Sequence, residues 1–252
     1  MRSITSGIRK AFGATSLTAS LIANFVGKGL AAGLGLLFIP VYVRFLGIEA
    51  YGLVGFFTTL TLLAAALDLG LSTTLNRSLA QAGTQSNGFA DSHDLLFSME
   101  WVYWPLMIGV ALAVTLLAPW IGGYWLNPQA LGVKTTVDAI ILLAIAGMLQ
   151  WPQALYGGGL MGLQKQVAYN AVQGVFATLR VVGAVAVLAW VSPTIIAFFW
   201  WQIAVSLLQT IVLAVMLHSS LYAGVFPRFR LSTLRSVSHF AAGMSGISLS
   251  VL

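Results

Sequence analysis

The stretch Thr194–Leu217, TIIAFFWWQIAVSLLQTIVLAVML, contains no Lys, Arg, Asp or Glu. Wound as a helix rising 1.5 Å per residue, it reaches about 36 Å, enough to cross a hydrocarbon core about 30 Å thick. Its polar residues Gln202, Ser206 and Gln209 fall at helical spacing and so share one face. The stretch reads as a membrane span with one polar stripe. The rest of the chain repeats that pattern.

Five other segments satisfy the same length and polarity requirement, roughly 17–43, 51–80, 95–119, 138–156 and 167–191. Turn signals separate the spans at 44–47, 83–94, 119–134, 157–166 and 192–193. The expected fold is all-α: a polytopic membrane bundle of six transmembrane helices plus the start of a seventh. A six-helix bundle is expected over 1–217, a basic cytoplasmic linker over 218–239, and the start of a seventh helix over 240–252, where the chain reads as truncated.

Composition excludes the alternatives. Of 252 residues, 59% are hydrophobic and 7% charged, whereas soluble domains run near 45–50% and about 25%. Mean hydropathy is +0.92, so there is too little charge to clothe a water-facing surface. The 26 glycines suit close helix approach, and the eight tryptophans and seven tyrosines suit two interfaces. With no cysteine there is neither disulfide nor thiolate chemistry. The basic start followed by an apolar run resembles a signal peptide, but the run continues from Leu17 to about Phe38 without a cleavage site. It reads as the first span.

The net charge of +6 does not form a nucleic-acid patch. It follows topology instead. Eight cations fall on one side of the expected bundle (Arg2, Arg9, Lys10, Arg77, Lys165, Arg228, Arg230, Arg235) and two on the other (Arg44, Lys134). The positive-inside rule then places the N-terminus in the cytoplasm.

Soluble-enzyme chemistry finds no footing. His93, His218 and His239 are too scattered in sequence for a metal site, and no catalytic triad, paired carboxylates or phosphate-binding Gly-Lys loop is present. Gly157, Gly158 and Gly159 read as a cytoplasmic turn, and Glu100 with Trp101, Tyr103 and Trp104 as an interfacial belt. No catalytic residue, metal or cofactor is expected.

What remains is polarity inside the spans. Lys28, Asp68 and Arg180 lie well within apolar runs, where a charge costs about 2.5–3.5 kcal/mol on insertion scales. Asn24 pairs with Lys28 at i, i+4; Asp68, Ser72 and Asn76 repeat every four residues, with Arg77 beside them; Asn170, Gln173 and Arg180 share a face. With Gln202 and its neighbours, four spans carry polar stripes that should face the bundle interior or a wet cavity. Singly, the amides and hydroxyls read as helix–helix glue, whereas Lys28 and Arg180 read as substrate-facing cations. For Asp68 a structural salt bridge to either cation and a coupling-ion role both stay open. The three charges sum to one net positive charge, which favours an anion.

Three motifs then suggest a family. Phe38–Tyr42 followed by Leu46–Gly52, Leu67–Ser72 followed by Asn76-Arg77, and Gly162–Gln166 with Asn170 resemble, in order and spacing, motifs of Wzx-type polysaccharide transporters. These belong to the superfamily of multidrug, oligosaccharidyl-lipid and polysaccharide exporters. The resemblance covers most of residues 15–185. It implies two six-helix bundles around a cavity that opens alternately to either side of the bacterial inner membrane. The implied cargo is an undecaprenyl-diphosphate-linked oligosaccharide, with membrane lipids and the missing C-terminal bundle as the other partners. Asp68 and Arg77 inherit family motif positions; Lys28 and Arg180 rest on the physical argument. Rival readings are a lipid II or drug exporter of the same superfamily, and a membrane enzyme or assembly subunit acting on polyprenyl lipids.

The charge count makes topology testable in a chain without cysteine. Asn127→Cys should react with an impermeant thiol reagent from outside the cell, and Gln164→Cys only after permeabilisation. The reverse pattern would overturn the orientation.

Overall fold

In the computed structural model, residues 37–66, 68, 70–82, 88–126 and 128–221 are described, and the regular structure among them is helical. Helix α1 (Leu37–Leu46) is short. It is followed by α2 (Ile48–Ala66), α3 (Leu71–Ala82), α4 (Gly88–Trp120), α5 (Val133–Gln150), α6 (Pro152–Gly162), α7 (Gln166–Trp190) and α8 (Ile195–Leu221). Four helical stretches are long and apolar enough to cross a membrane: Asp91–Trp125, Val133–Gly162, Gln166–Trp190 and Ile195–Leu221. The chain is a helical membrane protein.

The expectation of six continuous spans is modified. Of the first span only α1 lies within the described residues, as do neither Asn24 and Lys28 nor the linker and tail beyond Leu221. The second expected span, 51–80, is two helices, α2 and α3. Gly70 adopts φ +75°, a conformation L side chains rarely enter, and the Leu71 amide turns back to the Asp68 carbonyl at 2.9 Å. The fourth span is one helical stretch, Val133–Gly162, interrupted at Trp151 because Pro152 has no N–H to donate to the preceding turn; α5 ends at Gln150 and α6 starts at Pro152, with Trp151 between them still in the right-handed helical conformation. The sixth runs past its expected end to Leu221.

Two expected turns are shorter than expected because helix runs into them. The turn anticipated from Pro119 begins later, since α4 passes through Pro119 and widens into a π-turn over Ile121–Trp125, closed by the Leu126 amide on the Ile121 carbonyl at 2.9 Å. Proline lacks a donor but does not stop the chain from winding on when the following residues admit a wider turn. Gly157, Gly158 and Gly159 lie inside α6 and are buried. Their reason is close packing. A Cβ on Gly158 would sit 2.5 Å from the Ser72 carbonyl oxygen, and one on Gly162 would press on the Asn76 carbonyl. The i, i+4 pair Gly158 and Gly162 thus lies against the i, i+4 pair Ser72 and Asn76, letting α3 and α6 approach backbone to backbone.

The buried side chains form two cores stacked along the bundle. One gathers Tyr42, Leu53, Phe57, Ile140, Leu188 and Phe199 from α1, α2, α5, α7 and the start of α8. The other gathers Leu75, Met99, Leu155, Leu160, Leu213 and Leu217 from α3, the first half of α4, α6 and the end of α8. Far from that second core, the Glu49 carboxylate accepts the backbone amides of Gln129, Ala130 and Leu131 at 2.6, 2.7 and 3.2 Å, tying the α4–α5 loop to the start of α2. This gives Glu49 of the first motif a structural task.

The glycine contact makes a graded prediction. Gly158→Ala must push α3 away from α6 and should cost about 1–3 kcal/mol, the range for overpacking. Gly174→Ala, where a Cβ meets nothing within 4 Å, should be near neutral. Thermal unfolding in detergent measures both; equal midpoints would show that the helices do not meet through Gly158.

Candidate functional site

Between the two cores lies a layer of polar side chains, organised by α8. Gln202, Ser206, Gln209 and Thr210 are all buried there. Toward α6, Gln153 Nε2 donates to the Ser206 carbonyl at 3.3 Å and to Thr210 Oγ1 at 3.0 Å. The Thr210 hydroxyl in turn donates to the Leu149 carbonyl at 2.5 Å, beside the break that Pro152 makes. In hydrocarbon a freed carbonyl needs such a partner.

Toward α7 the layer forms a chain running one way. Arg180 Nη2 donates to Gln209 Oε1 at 2.8 Å, Gln209 Nε2 to Gln173 Oε1 at 2.9 Å, and Gln173 Nε2 to the Tyr169 hydroxyl at 2.7 Å. Each amide accepts on oxygen and donates on nitrogen, so the bonds polarise one another in the same sense. Arg180 is partly buried, and among the described residues no carboxylate pairs with it.

Asp68 belongs to a different group. Its Oδ2 accepts the Ser72 hydroxyl at 2.6 Å and the Ser72 amide at 3.3 Å, while Oδ1 accepts the Tyr103 hydroxyl of α4. The carboxylate therefore caps the first turn of α3, where the helix dipole favours a negative charge. The salt bridge to Arg180 left open by the sequence is not made. Tyr103, read as part of an interfacial belt, is instead buried and is the partner of Asp68, while Trp101 is exposed. The clue lay in register: Met99, Tyr103 and Met107 follow one another at i, i+4, and all three are buried.

Of the other expected site residues, Gln173 and Arg180 are brought together through Gln209. Gln202 shares their helix layer but leaves Oε1 without a partner. Asn76 is held at the glycine contact, and Arg77 is exposed on α3. Four buried atoms near the layer lack a hydrogen-bond partner among the described residues: Gln150 Nε2, Trp151 Nε1, Gln202 Oε1 and Ser206 Oγ. They are unused hydrogen-bonding capacity in an apolar setting. A cavity of about 220 Å³ beside α2, α4 and α5 is apolar, lined by Phe57, Met107, Leu143, Met148 and Trp151 among others, and none of the expected site residues lines it. No group of three side chains suited to a metal ion occurs among the described residues.

The family described as polysaccharide biosynthesis protein has a model that matches residues 17–251. This chain belongs to that family. No curated protein and no solved structure matches it. In this polysaccharide biosynthesis protein, the second and third sequence motifs meet in space: Ser72 and Asn76 of one lie against Gly158 and Gly162, and Gly162 opens the other. The first motif closes on α7 and α8, with the Tyr42 hydroxyl donating to the Val181 carbonyl at 3.1 Å and its ring edge-on to Phe198.

The Asp68 cap can be probed from its partner. Tyr103→Phe keeps the ring and removes the donor. Hydrogen bonds between membrane helices reach about 1.7 kcal/mol at most by double-mutant cycles, and bonds to a charged acceptor run about 1.5–3 kcal/mol. The overlap predicts a loss of about 1.5 kcal/mol, read by SDS or thermal unfolding. An unchanged stability would mean that Tyr103 does not hold Asp68.

Proposed function

We propose that this chain moves the polar head of an undecaprenyl-diphosphate-linked oligosaccharide across the bacterial inner membrane, as a Wzx-type flippase serving cell-surface polysaccharide or lipopolysaccharide assembly. The observation that carries the reading is Arg180. It is a guanidinium within a helix long and apolar enough to span a membrane, tied to Gln209 and unmatched by any carboxylate among the described residues. Membership of the polysaccharide biosynthesis family supplies the context.

The physics is that of a shielded head group. A sugar diphosphate cannot enter hydrocarbon, whereas its polyprenyl tail stays there at no cost. Guanidinium is the side chain best matched to phosphate oxygens, because its planar fork offers two parallel donors. Buried amides and hydroxyls such as Gln202 and Ser206 have capacity left for sugar hydroxyls. On this reading the bundle, its N-terminus cytoplasmic, rocks against a second bundle to expose the layer to each side in turn. No bond is made or broken, so the chain is a transporter and not an enzyme. Lys28, four residues from Asn24, would add a second cation to the same path.

Export in a flippase-null strain tests this with protein levels matched. Arg180→Ala should lower export about 10–100-fold, the equivalent of one charged hydrogen bond. Arg180→Lys should retain more, since the charge stays while the fork is lost. Lys28→Ala should also lower export. Asp68→Asn should chiefly lower protein level, as expected of a cap. Wild-type export by Arg180→Ala would end the cationic-path reading.

A further inference from the structure

Two histidines that lie far apart in sequence meet at the end of the bundle where α4 begins and α8 ends. His93 Nε2 is 3.1 Å from His218 Nδ1, and His218 Nε2 is 2.9 Å from Glu100 Oε1. The imidazole rings stand 5.3 Å apart, tilted by 59°. His93 and Glu100 are seven residues apart, two turns along the same face of α4, so they grip His218 of α8 from one helix. His93 is 5% exposed, whereas the side chains of His218 and Glu100 are 33% and 14% exposed. A crevice of about 310 Å³ formed by Glu100, Trp101, Trp104 and Pro105 gives the carboxylate a route outward.

The surroundings define what else acts on this trio. On α4, Asp94 lies close enough to His93 to act on it, and Tyr156 of α6 lies close enough to Glu100 to act on it. On α3, Arg77 adjoins Ser78, whose hydroxyl approaches that of Ser92 at 3.4 Å. Lys165, just before α7, is bonded to Ser220 of α8 at 2.6 Å. α8 carries no carboxylate, Lys or Arg, and the ionisable residues of α5, Lys134 and Asp138, fall in its first turns, at the opposite end.

We propose that Glu100, His218 and His93 form a proton-binding site that latches α4 to α8 and releases them when a second imidazole is protonated. The hydrogen-bond count requires it. With both rings neutral, His218 donates from Nε2 to Glu100 and accepts at Nδ1 from His93 Nε2. With one ring charged, the His93–His218 bond still forms, because one of the two facing nitrogens keeps its lone pair. With both charged, both facing nitrogens carry hydrogens and the two like charges repel across 3.1 Å. The open arrangement then binds the second proton better than the closed one. The latch therefore holds at neutral and alkaline pH and is lost at acid pH, once the second proton binds. This inference does not depend on what the protein transports.

The full protein in lipid nanodiscs tests it. Val102→Cys on α4 and Val215→Cys on α8 place spin labels at exposed positions of a chain that otherwise lacks cysteine. Their separation should hold from pH 8 to 7 and lengthen by at least about 2 Å between pH 6.5 and 5, a shift on the scale of helix movements at packed interfaces. His93→Gln should abolish the lengthening, because an amide can donate to neutral His218 or accept from charged His218. An unchanged distance in the parent protein, or the same lengthening in His93→Gln, would overturn the latch. Imidazole ¹⁵N signals give a second readout that needs no variant. Coupled two-step titration of His93 and His218 supports the shared site; independent single-step titration refutes it.

Discussion

A backbone crossing hydrocarbon must satisfy every N–H and C=O from within, and this bundle interrupts its helical hydrogen bonding twice, between α2 and α3 and at Pro152. The break after α2 frees the first amides of α3; the Asp68 carboxylate takes the Ser72 amide and hydroxyl and is itself held by Tyr103. The break between α5 and α6 disrupts the carbonyls before Pro152; Thr210 reaches from α8 to the Leu149 carbonyl and is steadied by Gln153. Much of the remaining architecture follows from these two repairs. They decide which residues must be polar, on which helix, and at what height.

Placing both breaks near the same height has a packing consequence. The half-helices beyond them, α3 and α6, become neighbours and need a way to associate in a medium that offers no hydrophobic drive between helices. Gly158 and Gly162 supply it by removing side chains at the contact, so that dispersion and close backbone approach do the joining. The second apolar core assembles around this pair, the first around α2, α5 and the start of α8. A polar layer separates them. It is continuous along α8 because that helix packs against α5 and α6 on one side and α7 on the other.

The spans were legible because length and absence of charge suffice to mark them. Thr194–Leu217 and 167–191 match α8 and α7 closely. Pro152 within a span marks a kink on sequence alone, but the break after α2 was not legible. The apolar run continues through residues 67–70, and hydropathy does not record where a backbone turns. The polar stripes on α7 and α8 were visible from their spacing, and Gln173, Arg180 and Gln209 do join. Which stripe faces which could not be read, because the relative rotation of two helices is set by packing. Hence Asp68, with a salt bridge and an ion-coupling role both open from sequence, caps α3, and the glycine run that reads as a turn lies inside α6, where Gly158 meets the backbone of α3. The His93–His218 pair lay hidden in the same way: periodicity along one helix says nothing about the residue across the gap.

Magnitudes separate the two embedded charges that the structure describes. Each costs about 2.5–3.5 kcal/mol to place at mid-membrane on insertion scales. Asp68 recovers this locally. It accepts three hydrogen bonds, sits at the N-terminal end of a helix, and prevents the loss of amides that would otherwise be orphaned. A charged cap of this kind offsets its own cost. Arg180 has one such bond, to Gln209, and a bond to a charged group returns about 1.5–3 kcal/mol. The shortfall reaches roughly 2 kcal/mol. Folding gives no return for that difference, and replacing Arg180 with leucine would improve insertion. In the flipping mechanism proposed for this member of the polysaccharide biosynthesis family, the anionic head group is the partner that would offset the rest.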